Sequence, residues 1–325
     1  MEDFYWNALL SLRHAVAHST QPSLPFVLDE HGNVSSPASL QPPSAPVACF
    51  LPRHDASLPP QIPDTAAIFA PQSTVEWATL RQGRLGPEAC RKLEQYLAYC
   101  YLPWQAHRQK RAVTVAHFAQ SLDGKIATTA GRSKWIGNRE NLVHAHRMRA
   151  LCDAVLIGGG TLSCDQPKLT VRHVKGEHPC RVVIARPDSD FSSLLQACSK
   201  PVLVFGSEKS NRNGRIQYTC LPKGERGHIP SQLILEKLYE RGIYSVYLEG
   251  GPLTTSRFLK DGAVDFMQLH LAPLVFGSGK SALCLPEIEH VREAVSFFEH
   301  TFHPVGDSIM FTGRPQYDPS AAQNA

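Results

Sequence analysis

From Val113 onward the chain repeats one pattern. Short apolar runs that do not alternate with polar residues are each followed by a turn and then by a helical stretch. Ala154-Val155-Leu156-Ile157-Gly158 and Pro201-Val202-Leu203-Val204-Phe205 are such runs. A strand with one wet face must alternate, so these strands are covered on both faces, as in a parallel sheet between layers of helices. The pattern predicts strands at 113–119, 154–158, 181–185, 201–205, 244–248 and 264–271, with two late ones at 295–298 and 308–312. Helices are predicted near 139–151, at 231–241 where Gly242 stops the turn, and at 252–260. The expected fold class is α/β: an open, mostly parallel sheet flanked by helices, about 200 residues in all.

The first 110 residues read differently. Residues 4–18 have the apolar spacing of one amphipathic helix. From Gln21 to Gln72 stand eleven of the chain's 25 prolines. Each removes a backbone donor, which forbids long helices and central strands. The short apolar pieces at 26–28, 47–51 and 66–70 are candidates for edge strands of a small subdomain, or for a wrap on the main body. Helical spacing resumes at 88–102 behind Pro87, and Pro103 to Arg111 reads as a linker. The expected organisation is a Pro-rich N-terminal extension or subdomain (1–110), a main domain (111–315) and a short tail (316–325).

Composition narrows the classes. A net charge of +4 on 325 residues is too mild to argue for nucleic acid, and no apolar run is long enough for a membrane helix. The nine cysteines are odd in number, scattered and never spaced C-x-x-C, which favours reduced thiols over a disulfide framework or zinc site. The opening Met1-Glu2-Asp3-Phe4-Tyr5-Trp6 fits neither a secretory signal nor a transit peptide, so the cytoplasm is the expected compartment.

Two turns carry the sharpest chemistry. In Leu248-Glu249-Gly250-Gly251-Pro252 a strand ends, two glycines let a ligand approach the backbone, and a proline starts a helix. Free amides at a helix N-terminus favour an anion, and Thr254, Thr255, Ser256 and Arg257 add donors in the first turns. A plain strand-to-helix connection is the competing reading. Glu249 at the carboxyl end of the strand favours a ligand, since open α/β sheets bind there. Gly158-Gly159-Gly160-Thr161 is a second such turn, but Ser163 stands where G-x-G-x-x-G needs its third glycine. Packing and phosphate contact stay equally open for it. Gly277-Ser278-Gly279-Lys280-Ser281 is too short for a P-loop. Arg149 and Arg172 suit a phosphate or carboxylate, or are ordinary surface residues. Trp135 either stacks on a ligand or fills the core. His144 and His146, two apart on a helix, face different ways and make a poor metal pair. No metal is expected, and the zinc-deaminase signature H-x-E with P-C-x-x-C does not occur.

Taken in order, several segments resemble one family. They are Ser121-Leu122-Asp123-Gly124-Lys125-Ile126-Ala127, Gly131-x-Ser133-x-Trp135-Ile136, Arg149-Ala150, Gly160-Thr161-Leu162, Asp165-x-Pro167-x-Leu169-Thr170-Val171-Arg172 and Leu248-Glu249-Gly250-Gly251. With this order and spacing the chain resembles, over about 113–313, the reductase domain of the riboflavin-biosynthesis deaminase/reductase enzymes, whose fold is that of dihydrofolate reductase. The resemblance implies NADPH-dependent reduction of a ribosylaminopyrimidine 5′-phosphate to its ribitylamino product. It places the cofactor at Ala119, Trp135, Thr161, Asp165 and the turn Gly250, Gly251, Pro252, Leu253, Thr254, Thr255, Ser256 and Arg257. It places the substrate at Ser133, Arg149, Leu169, Arg172 and Glu249, and a homodimer is expected by the same analogy. Lys125, with Glu249, is the candidate for handling charge or protons in the reaction.

The chain departs from the family in three places. The paired acids before the proline appear as Asp165-Gln166. Ala185-Arg186 replaces the usual Asp-Ser, and Arg186 is expected, from charge alone, to meet the 2′-phosphate of NADPH. The deaminase half is missing: residues 1–110 carry none of its metal ligands, which leaves room for a separate deaminase partner. Two other readings remain, a dihydrofolate- or pteridine-type reductase on the same fold and a non-catalytic binding protein that kept the fold. A sugar-phosphate clamp at Arg149 and Arg172 argues against a folate. Failure to bind NADPH would end both enzyme readings.

Overall fold

The computed structural model describes residues 2–19, 25–31, 33–36, 46–51, 62, 64–73, 76–134, 136–210 and 214–317. Two compact units divide at Arg108 and Gln109. The first holds α1 (Glu2–His18), β1 (Phe26–Asp29), β2 (Val34–Ser35), β3 (Pro46–Phe50), β4 (Ala67–Pro71), β5 (Trp77–Arg81), α2 (Pro87–Cys100) and α3 (Leu102–Gln109). The second runs β6 (Val113–Gln120), β7 (Lys125–Ala127), α4 (Arg139–Leu151), β8 (Ala154–Gly158), α5 (Gly159–Asp165), β9 (Cys180–Ile184), α6 (Ser192–Ala197), β10 (Val202–Gly206), β11 (Ile216–Cys220) and α7 (Ser231–Tyr239). It ends with β12 (Ser245–Leu248), α8 (Pro252–Lys260), β13 (Phe266–Leu271), β14 (Lys280–Ser281), β15 (Ser296–Val305) and β16 (Ser308–Gln316).

In the first unit the short apolar pieces do become strands, in a five-stranded sheet ordered β2-β1-β3-β4-β5. They are not only edges, since β1, β3 and β4 are inner strands, with β3 and β4 parallel. Proline is tolerated because Pro46 and Pro71 sit at strand ends, where the ladder needs no further donor. Helices α1 and α2 meet through Trp6 and Tyr96, edge to face at 6.0 Å, and Cys100 Sγ reaches Leu9 O at 3.5 Å. Glu94 of α2 accepts from both the amide and the hydroxyl of Thr79, tying the helix to β5. Residues 103–109, expected as a linker, are helix instead. Pro103 lies in the first turn of α3, where its missing N–H would have had no partner.

The second unit is built on a nine-stranded sheet, β11-β10-β9-β8-β12-β6-β13-β16-β15. The seven strands from β11 to β13 are parallel, and the hairpin β15–β16 closes the edge antiparallel. This is the open, mostly parallel sheet that the unalternating runs require. One face packs Ile234, Leu235 and Leu238 of α7 and Phe258 and Leu259 of α8 onto Ala116, Leu156, Phe205, Val246, Leu248 and Met267. Fully burying such an aliphatic or aromatic side chain stabilises by roughly 1.5–3 kcal/mol. Carboxylates pin the strand starts. Asp265 takes two bonds from Arg111 (2.8 and 2.9 Å) and one from Thr114 N (2.8 Å), while Asp153 accepts from Tyr244 N and Ser245 N.

The other face, beneath α4, is polar for a core. His117 Nε2 meets Asn141 Oδ1 at 3.1 Å, His144 Nε2 meets Gln268 Oε1 at 3.1 Å, and the His117 ring stacks on Tyr247 at 5.6 Å. Burial drives both imidazoles down to about 3, so these rings are neutral. Among the described residues no helix is long and apolar enough to cross a membrane, and no group of three or more His, Cys, Asp or Glu is placed to hold a metal.

Candidate active site

The two glycine turns stand side by side at the carboxyl ends of β8 and β12, each leading straight into a helix. Each helix leans a threonine against the other turn. A Cβ on Gly158 would lie 2.1 Å from Thr254 Oγ1 of α8, and one on Gly251 would lie 2.9 Å from Thr161 Oγ1 of α5. The glycines are thus required by packing, and they also leave a bare backbone at the mouth of a cleft. This settles for the Gly158 turn a question left open by its pattern: packing is at least one of its roles.

The cleft has a volume of about 500 Å³ and is lined by Gly158 to Thr161, Asp165, Arg186, Gly251 to Thr254, Arg257 and Ser133. Expected cofactor positions therefore converge on one cavity. Gly250 sits behind it, with Thr254 Cβ 3.0 Å from where its own Cβ would be. Thr255 and Ser256 point elsewhere. Both are buried, with the Thr255 hydroxyl toward Gly250 O (3.4 Å) and the Ser256 hydroxyl accepting from Cys284 N (2.7 Å). Neither is among the residues that line the cleft. Arg186 is exposed beside Asp188 at 3.6 Å. Ala119 lies one residue before the end of β6, paired with His270 of β13. Trp135 lies outside the described residues.

Of the expected substrate residues, Ser133 lines the cleft itself, while Arg149, Glu249 and Arg172 gather separately, around α4 and the segment 169–172. Arg149 and Glu249, a hundred residues apart, form a two-pronged pair with Nε–Oε1 and Nη2–Oε2 both at 2.6 Å. Side-chain exposures of 12% and 17% shield that pair from water. Burial works against the charge on Arg149, but the Glu249 carboxylate overcomes it and turns the net pKa shift upward. Arg149 Nη1 also reaches Thr170 O at 3.1 Å, and Arg172 Nη1 reaches the Thr170 hydroxyl at 2.7 Å. Arg172 is exposed, and its pKa is lowered by partial burial and by repulsion from Arg149. It is the guanidinium of the two that faces solvent without a carboxylate of its own. Leu169, by contrast, is buried, with φ of +51°, so it offers a ligand its backbone and not its side chain.

Lys125 stands on β7, in a two-stranded sheet with β14, its Nζ 3.3 Å from Ser281 Oγ. The preceding Ser121–Lys125 turn is held by Asp123, which accepts from the Ser121 hydroxyl and from Phe276 N and Gly277 N; these bonds take its carboxyl down to about 2. Lys280, Lys223, His228 and Ser207 also line the cleft and were not singled out in the sequence. Only Lys280 carried a signal, the Gly277–Ser281 run that fails as a P-loop.

Comparison with known proteins follows this layout. Residues 112–297 match the RibD C-terminal domain. The chain belongs to that family. It is 33% identical over 206 residues to the riboflavin biosynthesis protein RibD of Aquifex aeolicus (strain VF5), covering 62% of this chain and 57% of the relative, so it spans little more than half of that protein. It is 33% identical over 191 residues to the 2,5-diamino-6-ribosylamino-4(3H)-pyrimidinone 5′-phosphate reductase of Methanothermobacter thermautotrophicus, covering 56% of this chain and 87% of the relative. Among solved structures, Acinetobacter baumannii RibD matches with a TM-score of 0.62 over 97% of this chain and 99% of that one, at 18% identity. That likeness concerns fold alone, and it extends over the first unit as well as the second.

Proposed function

We propose that this chain is an NADPH-dependent reductase of a ribosylaminopyrimidine 5′-phosphate, of the riboflavin-pathway type. The observation that carries the reading is the pairing of two neighbouring sites: a glycine-walled cleft and, beside it, a cluster of Arg149, Arg172 and Glu249. A dinucleotide fits the cleft because the walls at Gly158 and Gly251 have no room for a side chain of their own and leave amides exposed at the start of α8. Thr161, Asp165, Gly251, Pro252, Leu253, Thr254 and Arg257 would hold it, with Ala119 at the reacting end and Arg186 toward the 2′-phosphate. When bound, NADPH supplies a hydride.

The chain's own residues then do the positioning. Arg172 binds the substrate phosphate, Ser133 donates to it, and Arg149 orients Glu249 so that its carboxylate accepts from ribose or pyrimidine donors. Lys125 offsets negative charge developing on a substrate oxygen. The Arg149–Glu249 pair and the neighbouring guanidinium favour a sugar phosphate over a folate. Cytoplasmic residence and a homodimer are part of the same reading. The test is NADPH oxidation by the full chain with the deaminated pyrimidine phosphate, its aminated precursor and dihydrofolate as substrates. Turnover of either pyrimidine but not of dihydrofolate is expected, and light scattering gives the subunit number. Turnover of dihydrofolate alone, or no NADPH binding at micromolar cofactor, overturns the proposal.

A further inference from the structure

His146 and Arg149 are three residues apart on α4, about one helical turn, and so project side by side. Both act on the segment that carries Arg172. Arg149 donates to Thr170 O at 3.1 Å, and His146 Nδ1 accepts the Arg172 backbone N–H at 2.9 Å. The Arg172 side chain then folds back onto the Thr170 hydroxyl at 2.7 Å. One face of one helix therefore fixes both the first guanidinium and the main chain of the second. His146 is wholly buried, edge-on to His173 at 4.5 Å, and its Nε2 has no hydrogen-bond partner. An unsatisfied buried N–H is costly, and leucine or methionine would fill the space without it. What those residues lack is an acceptor for Arg172 N–H. Burial, with Arg149, Arg172 and His173 close by, holds the imidazole down to about 3, so Nδ1 keeps its lone pair.

We propose that His146 is a positioning residue: it sets the distance between Arg172 and Arg149, and so the fit of the substrate's phosphate. This rests on the reading that Arg172 takes that phosphate. The test uses the full chain with the phosphorylated ribosylaminopyrimidine and its dephosphorylated counterpart. His146→Leu should raise KM for the phosphorylated substrate about tenfold and leave kcat within about twofold. It should leave kcat/KM for the dephosphorylated substrate unchanged and shift the thermal midpoint little, since one unsatisfied N–H, at Nε2, is exchanged for another, at Arg172. His146→Asn, which keeps an acceptor oxygen, should recover most of the lost KM. An unchanged KM in His146→Leu, equal losses for both substrates, or no recovery in His146→Asn overturns the proposal. Should His146→Leu not fold, His146→Ala read against His146→Asn gives the same comparison. Arg172→Ala separates the two levels. If it leaves KM at the native value, the phosphate reading fails and the His146 role with it. If it raises KM while His146→Leu does not, only the positioning role fails.

Discussion

A Cβ on Gly158 would stand 2.1 Å from Thr254 Oγ1 and 3.4 Å from Thr254 Cβ. The backbone there, at φ −88°, suits any residue, so the obstacle is the hydroxyl alone. Gly158→Ala is expected to lower stability by about 1–3 kcal/mol, as overpacking does. Adding Thr254→Ala removes the obstructing oxygen and should restore most of it; urea unfolding of the single and double variants decides. A double variant no better than Gly158→Ala would mean that the two turns do not meet as described. The Arg149–Glu249 pair gives a second test at this scale. Arg149→Leu strands a shielded carboxylate and should cost about 3 kcal/mol in thermal unfolding. Removing both charges with Arg149→Leu and Glu249→Leu should cost less than Arg149→Leu alone, because no charge is left unpaired.

Among the elements, α4 links the polar layer to the candidate site, and its start is fixed by one side chain. Asn138 Oδ1 caps the helix through Asn141 N at 2.8 Å, while its Nδ2 donates to Val305 O at 2.7 Å and Asp307 Oδ1 at 2.8 Å in the β15–β16 turn. Asn138→Ala loses the cap and the tie together, for about 1–2 kcal/mol, whereas Asn138→Asp keeps the cap alone and should fall between. Calorimetry on both variants orders them. Elements were legible where burial set the pattern. The stretch 252–260 is α8 residue for residue, and 113–119 is β6 less one position. Others were hidden by local chemistry. β11 reads Ile-Gln-Tyr-Thr-Cys, a mixed edge strand with no continuous apolar run. α5 begins with two glycines, poor helix formers held in place by packing. β15 continues past 298 through an irregularity where Glu299 takes φ of +47°. In the site, the residue types at Arg149, Arg172 and Glu249 were readable, but the direct pairing of Arg149 with Glu249 was not. Nothing local in sequence reports a contact across a hundred residues.

For the molecule as a whole, the neutral histidines make acid the weak direction. His117 and His144 sit near 3 when folded, against 6.5 as the ordinary value. Between those values the unfolded chain binds the extra protons, so stability falls as pH drops from about 6.5, by up to about 1.4 kcal/mol per pH unit for each ring. Unfolding free energies at pH 7, 6 and 5 should show this slope, and His144→Gln should reduce it. An identical slope in the variant would remove His144 from the account. The first unit makes a separate point. Sequence identity to the curated relatives covers little more than half of the chain, yet the fold likeness to a RibD spans 97% of it. Because no H-x-E with P-C-x-x-C is present, the purified chain is expected to carry no stoichiometric zinc by elemental analysis and to release no ammonium from the aminated pyrimidine phosphate.

The layer beneath α4 also makes the protein self-labelled. His117 and His144 each meet an amide oxygen through Nε2, which fixes the ring proton on that nitrogen. Sealed from solvent, those two protons should exchange slowly and give sharp downfield NMR lines. Asn141 and His144 lie on the same helix as His146 and Arg149, while His117 lies two residues from Ala119. Titrating cofactor or substrate should therefore move two natural resonances, with no probe attached.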